Sequence, residues 1–292
     1  MNLPGVLVSA GAAWNGRPST LRKHIPEIES GGLSLVGSVR EDNQDSIYLP
    51  NRQHDPEMGL LYAVADGMGG YAHGAVASSL ALEALANTLF ERDNPNPKVL
   101  STGVERANIE VYKAAQRMAA GRMGTTLTAA YILGDTLYLA HVGDSRAYLI
   151  RNGRAVCLTA DHTTVGDMVR AKLISPDKIR THAQRSVLTK AIGLGLFVQP
   201  DITQHKLREG DRLVLCSDGV WSVVEDDEFA QAADKSSVDA INQNLIDLAL
   251  RRETDDNVSV VAFHLRKLTP VHAEPEADQP ANWFQKLRKM AR

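Results

Sequence analysis

The sequence predicts an α+β fold in which two β-sheets pack face to face and helices cover the outside. Strand-like runs come in clusters joined by Gly-Asp turns at 134–135, 143–144 and 210–211, whereas helical patterns come in pairs between the clusters. The runs LVLC (213–216) and VSVVAF (258–263) are too continuously apolar to leave one face in water. A sheet buried on both faces needs a partner layer on each side, and a doubly wound nucleotide-binding fold fits this grouping less well.

The strands are predicted from apolar runs bounded by turn residues, and the helices from apolar residues at three- and four-residue spacing. In chain order the predicted strands are 33–40, 46–50, 59–65, 125–133, 136–142, 146–151, 201–207, 211–217 and 257–265. The predicted helices are 74–92, 98–120, 226–233 and 237–252.

The two ends of the chain differ from this dense pattern. Residues 1–32, with three prolines, are expected to form an irregular extension before a folded domain at 33–265. A Pro/Glu/Ala linker is expected at 266–282, followed by a short basic amphipathic tail at 283–292. Ten residues are marginal for an isolated helix, so a frayed tail is favoured over a docking peptide for a partner, and a membrane-surface contact is favoured least.

Composition excludes several classes of protein. The 292 residues include 32 Lys and Arg against 35 Asp and Glu, a formal net charge of −3, whereas a general nucleic-acid binder needs a basic surplus. A hydrophobic fraction of 43% argues against disorder. Cys157 and Cys216 lie in apolar stretches and are expected to be reduced core thiols of a cytoplasmic protein. No apolar run approaches the roughly 20 residues that span a bilayer.

Aspartates stand where several apolar runs begin or end. The run at 60–70 ends at Asp66, the run at 211–221 ends at Asp218, and other acidic or amide side chains precede strands at Asp42, Asp45, Asp255, Asp256 and Asn257. One Asp-Gly pair is usually a turn. A carboxylate at the end of a buried strand, however, is costly to desolvate without a cation, and Arg40 is the only Lys or Arg in segment 40–49, which carries Asp42 and Asp45.

A divalent-metal cluster would satisfy all of these carboxylates together. No closely spaced His pair or Cys pair indicates zinc, so oxygen ligands favour Mg²⁺ or Mn²⁺. Gly67 and Gly219 are expected to let the backbone turn sharply and leave a carbonyl facing a metal. Two such ions can hold a bridging water and orient it toward a phosphoryl group.

Seven motifs together carry a resemblance to a known family. They are REDNQD (40–45), VADGMGG (64–70), GTTLTAA (124–130), HVGDSRAYL (141–149), LTADHT (158–163), LCSDGVW (215–221) and DDNVSVV (255–261). In order and spacing, over about residues 33–265, the set resembles the metal-dependent type 2C (PPM) family of protein serine/threonine phosphatases in its compact bacterial form. The resemblance implies a central β-sandwich flanked by pairs of helices, a four-layer αββα fold, with a small flap at about 163–187.

The resemblance also implies site residues. The centre of two Mn²⁺ or Mg²⁺ ions would take carboxylates from Asp45, Asp66, Asp218 and Asp256 and the backbone carbonyl of Gly67, with Asp66 bridging and Asn257 supporting the last aspartate. Asp144 resembles a ligand of a third ion, the alternative being a strand-turn aspartate paired locally with Arg146. Arg40, five positions before Asp45, resembles the phosphate-binding arginine, a task that suits a guanidinium with two parallel donors.

The implied reaction is direct hydrolysis of phosphoserine or phosphothreonine by a metal-bridging hydroxide, without a phosphoenzyme. Arg40 would bind the phosphoryl oxygens, and the general acid is unassigned because Met68 occupies the position where some relatives carry histidine. Expected partners are phosphorylated proteins, among them a bacterial Ser/Thr kinase that the enzyme would oppose and that kinase's substrates, and the family default is a monomer.

Three alternatives stay open at this point. The chain could be a catalytically weak phosphatase-like module that binds partners in a signalling pathway, although its complete aspartate set and Arg40 favour an enzyme. It could instead be a metal-dependent phosphodiesterase or nucleotidase. The five Lys and Arg residues of segment 163–185 indicate either a flap that contacts substrate protein or a solvated surface loop.

Overall fold

The computed structural model describes residues 24–50, 58–69, 73–91, 97–118, 122–234 and 236–270. Within these residues the strands are β1 (His24–Leu35), β2 (Asp45–Tyr48), β3 (Leu60–Gly69), β4 (Met123–Thr125), β5 (Leu127–Leu133), β6 (Thr136–Val142), β7 (Arg146–Arg151), β8 (Arg154–Cys157), β9 (Asp201–Lys206), β10 (Arg212–Cys216) and β11 (Val258–Pro270). The α-helices are α1 (His73–Phe90), α2 (Val99–Arg117), α3 (Thr164–Arg170), α4 (Asp218–Trp221), α5 (Asp226–Ala233) and α6 (Val238–Arg251).

The strands form two antiparallel sheets. One sheet has the order β1-β11-β10-β7-β8, and the other has the order β2-β3-β5-β6-β9, with β4 paired to β3. Two pairs of sequence neighbours form hairpins, β5 with β6 and β7 with β8. In contrast, β1 and β11 come from opposite ends of the described chain and pair along their whole lengths. That long-range pairing makes β1 an edge strand of the first sheet.

Side-chain alternation along the strands builds the layers. In β3, Leu61, Ala63 and Ala65 pack in one core with α1 and α2, whereas Tyr62 and Val64 pack in a second core between the sheets. Strand β10 alternates in the same way, with Leu213 and Leu215 between the sheets and Val214 and Cys216 against α5 and α6. The predicted four-layer αββα sandwich is therefore confirmed.

Both predicted domain ends are partly wrong. Residues 24–32 are not irregular, because β1 begins at His24 and pairs with β11 along its full length. Gly32 pairs with Val261 in this strand, and the position favours glycine because a Cβ there would come within 2.9 Å of the Ile47 side chain of β2. Residues 266–270 are not a linker, because β11 continues to Pro270. The remaining predictions for 1–23 and for 271–292, including the basic tail, lie outside the described residues.

Most other boundaries agree with the sequence pattern, but the strand predicted at 33–40 ends at Leu35 and the strand predicted at 125–133 is divided into β4 and β5. Strands at 136–142 and 146–151 and the helix at 226–233 have the predicted limits, whereas β8, α3 and α4 were not predicted. Segment 163–187, the predicted flap, contains α3 and a short 3₁₀ turn at Pro176–Lys178. Among the described helices none is both long and apolar enough to span a bilayer.

Candidate metal centre

The predicted carboxylates meet at one end of the sandwich. Asp45 of β2 stands directly opposite Asp66 of β3 in one sheet, while Asp218 follows β10 and Asp256 precedes β11 in the other sheet. A cavity of about 780 Å³ is lined by Asp66, Asp218 and Asp256 together with Asp144, from the turn between β6 and β7. Strand ends from both sheets thus supply the acidic wall of one pocket.

Asp45 lies behind this wall. Its side chain is buried, the Ser217 hydroxyl donates to Oδ2 at 2.7 Å, and the residue lines a second cavity of about 570 Å³ on the α1 side. Burial raises the pKa of Asp45 to about 7, the hydroxyls of Ser259 and Ser217 oppose the shift, and the charges of Asp218 and Asp256 add to it.

Asp66 and Asp144 share this environment. Burial raises the pKa of Asp66 well above its usual range, and the neighbouring charges of Asp45 and Asp218 raise it further. Asp144 is only 3% exposed, and burial followed by the charge of Asp218 raises its pKa strongly as well. Carboxyl groups packed this closely cannot all ionise without a compensating cation.

Asp218 gives the test of whether a cation fits. Its Oδ1 is buried and accepts no hydrogen bond from any described residue, and burial followed by the charge of Asp256 raises its pKa to about 6. An orphaned carboxylate oxygen beside three other carboxylates is the donor set of a hard divalent ion such as Mn²⁺ or Mg²⁺. The residues therefore fit the metals that the sequence predicted.

Arg40 lies in the same pocket and binds one of the proposed ligands. Its NH2 group donates to Asp256 Oδ2 at 2.8 Å, and its Nε donates to the Asp255 carbonyl at 3.0 Å. In the described part of the chain, no three Asp, Glu, His or Cys side chains already converge on one metal position. Asp256 would bind a metal through the carboxylate that here accepts from Arg40.

The glycines act differently from the prediction. Gly67 lies within β3 and Gly219 within the short helix α4, and neither has a positive φ, so the expected sharp turn is wrong. A Cβ on Gly67 would instead lie 2.1 Å from the Gly74 carbonyl of α1, and one on Gly219 would lie 2.0 Å from the Asn257 carbonyl. Both positions need glycine because another backbone segment approaches closely there.

Asn257 holds the loop that carries Arg40. Its side-chain amide donates to the carbonyls of Val36 and Asp42 at 2.8 and 3.0 Å, and its Oδ1 accepts from the Gln44 backbone N–H at 2.9 Å. Its own backbone N–H donates to Asp256 Oδ1 at 2.9 Å. One buried amide thus links the segment before β2 to the start of β11.

The local pair of Asp144 with Arg146 is not found. Arg146 makes a buried bidentate ion pair with Asp161, at 2.9 and 2.6 Å, and its guanidinium lies 3.6 Å from the centre of the Trp221 ring. Trp221 in turn donates from its indole N–H to the Asp144 carbonyl at 2.8 Å. Arg146 therefore supports the Asp144 turn through Trp221, and the carboxylate of Asp144 lines the pocket.

The comparisons with known proteins agree with this geometry. A model of the protein phosphatase 2C family matches residues 32–167 and 193–258. The chain belongs to the protein phosphatase 2C family.

Individual family members are similar over most of this chain. It is 40% identical over 229 residues to the serine/threonine protein phosphatase PstP of Mycobacterium tuberculosis, covering 77% of this chain but only 42% of PstP. It is 32% identical to the protein phosphatase PhpP of Streptococcus pneumoniae, covering 69% of this chain and 82% of PhpP. The solved catalytic domain of PstP in complex with two manganese ions superposes with a TM-score of 0.73 at 34% identity, covering 82% of this chain and 99% of that domain.

Three further residues in or beside the pocket had no role assigned from the sequence. The Thr126 hydroxyl oxygen accepts a hydrogen bond from the Asp66 backbone N–H at 2.9 Å, and the Ser217 hydroxyl donates to Asp45 Oδ2. Arg122 lines the pocket just before β4. Thr126 lies inside the GTT motif and could have been found there, whereas Arg122 lies outside every motif.

Proposed function

We propose that this chain is a metal-dependent protein serine/threonine phosphatase that hydrolyses phosphoserine and phosphothreonine. The observation that carries the proposal is the orphaned Oδ1 of Asp218 in a wall of carboxylates, with Arg40 lining the same pocket. Family membership and the two manganese ions of the PstP catalytic domain support a centre of two metal ions.

Each residue of the pocket has a role in this proposal. Asp45, Asp66, Asp218, Asp256 and the Gly67 carbonyl would hold two Mn²⁺ or Mg²⁺ ions, and Asp144 would serve a third; when bound, such ions supply an activated water and neutralise phosphoryl charge.

Arg40 would bind and orient the phosphoryl oxygens with its parallel N–H donors. Asn257 would keep the Arg40 loop in register with Asp256, through the hydrogen bonds to the Val36 and Asp42 carbonyls. Met68, Val187 and Leu188 line the pocket with apolar surface and would limit the access of bulk water to the phosphoryl group.

The proposed partners follow from this activity. They are phosphorylated proteins, including a Ser/Thr kinase and its substrates, met by a monomeric phosphatase in the cytoplasm. For the flap, Arg170 and Arg180 are occupied structurally, because Arg170 donates to the Asp161 carbonyl and Arg180 donates to the carbonyls of Trp221 and Val224. A substrate role of the flap would therefore rest on its remaining basic side chains, Lys172, Lys178 and Arg185.

The decisive experiment measures phosphate release from a phosphothreonine peptide with Mn²⁺, with Mg²⁺ and with EDTA. Asp218→Asn keeps the shape of the side chain but removes the charge at the orphaned oxygen, so we expect loss of metal-dependent turnover. Asp227→Asn, an exposed position in the first turn of α5, is the matched control and should behave as the unchanged protein does. Tight metal binding without turnover would contradict the proposal in favour of a binding module, and turnover of nucleotides alone would favour a nucleotidase.

A further inference from the structure

The pocket has a second arginine at its mouth. Arg40 and Arg122 are the only Lys, Arg or His side chains among the described residues that line it. Arg40 is engaged with Asp256, whereas Arg122 is exposed and makes no ion pair or hydrogen bond with a described residue. An unengaged guanidinium at the opening of a binding pocket offers two parallel donors to a carboxylate or phosphate that enters from solvent.

Strand β4 fixes the position of Arg122 relative to the metal centre. Met123, Gly124 and Thr125 pair with Gly69, Met68 and Gly67, so β4 runs directly beside the strand that carries Asp66. Arg122 directly precedes β4 and is exposed, so it lies at the rim of the pocket that it lines. That position favours a contact with the chain around a phosphoresidue over a contact with the phosphoryl group itself.

Apolar side chains continue this surface on the other edge of β4. Thr125 is bridged to Ile192, and Leu194 lies against Gly124. The next two apolar side chains, Leu196 and Phe197, are 59% and 95% exposed. Leu196 and Phe197 are consecutive exposed apolar side chains in the loop that follows the Ile192 bridge to β4, and neighbouring exposed apolar side chains mark an interaction site better than isolated ones do.

A buried asparagine holds the loop that presents these side chains. Asn108 of α2 is 1% exposed, its Nδ2 donates to the Gly195 carbonyl at 2.9 Å, and its Oδ1 accepts from the Gly193 backbone N–H at 2.8 Å. A loop fixed at two points keeps its apolar side chains in place before a ligand arrives, which lowers the entropic cost of binding.

We propose that Arg122, Leu194, Leu196 and Phe197 form a substrate-docking surface, the β4 surface. It binds an extended segment of the phosphoprotein that carries an acidic side chain near the phosphoresidue for Arg122 and an apolar side chain for the loop. This inference rests on the proposed phosphatase function and gives that function its substrate preference.

The test compares phosphothreonine peptides that carry either Glu or Lys, and either Leu or Ser, at each flanking position, with p-nitrophenyl phosphate as a substrate that has no flanks. Arg122→Glu should lower kcat/KM for the Glu peptides by about tenfold relative to kcat/KM for p-nitrophenyl phosphate, and raise it for the Lys peptides relative to the same substrate. The double variant Leu196→Ser/Phe197→Ser should lower kcat/KM for the Leu peptides by about tenfold and leave the Ser peptides unchanged.

Matched controls lie on β8, at the edge of the other sheet. Arg154→Glu makes the same charge change, and Val156→Ser removes an apolar side chain that is 56% exposed, close to the exposure of Leu196. Neither control should alter the peptide preference. Equal effects of Arg122→Glu and Arg154→Glu, or an equal effect on every peptide and on p-nitrophenyl phosphate, would overturn the proposal.

Peptide binding separates this proposal from the proposed function. Fluorescence anisotropy of labelled phosphopeptides with the Asp218→Asn protein measures docking without turnover. Adding Arg122→Glu to that protein should selectively weaken the binding of the Glu peptide. Absence of turnover with selective binding would contradict only the phosphatase function, whereas turnover without flank preference would contradict only the docking surface. Flotation with anionic vesicles that depends on Leu196 and Phe197, with no peptide preference, would assign the surface to a membrane instead.

Discussion

Asp45 is buried behind the pocket, and its pKa of about 7 contrasts with an ordinary value of 3.8. In the metal-free protein the folded state therefore keeps a proton that the unfolded chain releases. The stabilisation from a raised carboxyl pKa is fully present below about pH 4 and is lost as pH rises through about 7. Asp218, with a pKa of about 6, and Asp66 and Asp144 shift in the same direction.

The raised pKa values of these carboxyl groups predict how pH and metal together affect the stability of the fold. With EDTA, the Tm should fall as pH is raised from about 5 to about 7.5, and Mn²⁺ should raise the Tm more at the higher pH, where it does not compete with protons. Differential scanning calorimetry at both pH values measures this. Asp45→Asn should flatten the pH dependence in EDTA, Asp227→Asn should not, and a metal-free Tm that rises over this window would contradict the assignment.

The close approach of other backbone segments to Gly67 predicts that adding a single Cβ atom there destabilises the fold. Gly67→Ala would place a Cβ 2.1 Å from the Gly74 carbonyl and 2.6 Å from the Gln44 carbonyl, and both are backbone atoms that cannot rotate away. We expect the free energy of unfolding to fall by about 1–3 kcal/mol, as in other overpacked sites. Gly195→Ala is the control, because its Cβ would meet nothing closer than 3.9 Å and its φ is not positive. Urea denaturation should show a change below about 0.5 kcal/mol for this control, and equal costs would refute the close approach.

At the scale of elements, β7 is joined to the segment before α3 by one buried ion pair. The side chains of Arg146 and Asp161 are 6% and 3% exposed. Arg146→Met would leave the carboxylate of Asp161 buried and unpaired, so we expect a loss of about 3–5 kcal/mol in the free energy of unfolding.

The double variant Arg146→Met/Asp161→Leu should recover most of that loss, because no unpaired charge is left behind. Arg106→Met provides the comparison, since its pair with Glu110 on α2 is exposed at the arginine and should cost about 0.5 kcal/mol or less. Urea denaturation of the four proteins decides the matter. A double variant no more stable than Arg146→Met alone would show that packing against Trp221, and not charge, dominates.

Elements with a strong period were predictable, and elements that depend on distant contacts were not. Strands β6 and β7 and helix α5 have their predicted limits because their patterns are bounded by turns. Helix α4 has only four residues and shows no period. Strand β8 had a usable signal that was missed, since Asn152-Gly153, with φ values of 53° and 72°, is the Asn-Gly hairpin turn.

The same distinction between local sequence patterns and distant contacts applies to the candidate site. Its carboxylates could be predicted, because an unpaired aspartate at the end of a buried strand needs a cation whatever the topology. The contacts of Arg40 with Asp256 and of Asn257 with Val36 could not, because they join residues more than 200 positions apart. Arg122 could not be predicted either, because its place at the pocket mouth follows only from the pairing of β4 with β3.

For the whole molecule, the pairing of β1 with β11 decides where the folded unit ends. His24 pairs with Pro270, and Ile28 and Leu268 pack into the core between the sheets. A chain limited to residues 33–265, the boundaries that the sequence pattern favoured, would lack nine residues of β1 and five of β11. It would leave the remaining edge of β11 unpaired and the sandwich core open to water.

We therefore expect residues 24–270 to unfold at the same Tm as the full chain and to release phosphate at the same kcat/KM. The chain 33–265 should lose about 3 kcal/mol of stability, because it buries one or two apolar side chains fewer. In a domain of this size that loss lowers the Tm by about 6–12 °C. Differential scanning calorimetry and phosphate release on the three chains test both statements. Equal Tm values for 24–270 and 33–265 would show that the outer pairs of β1 and β11 add no stability. A lower Tm for 24–270 than for the full chain would instead assign stabilising contacts to residues 1–23 or 271–292.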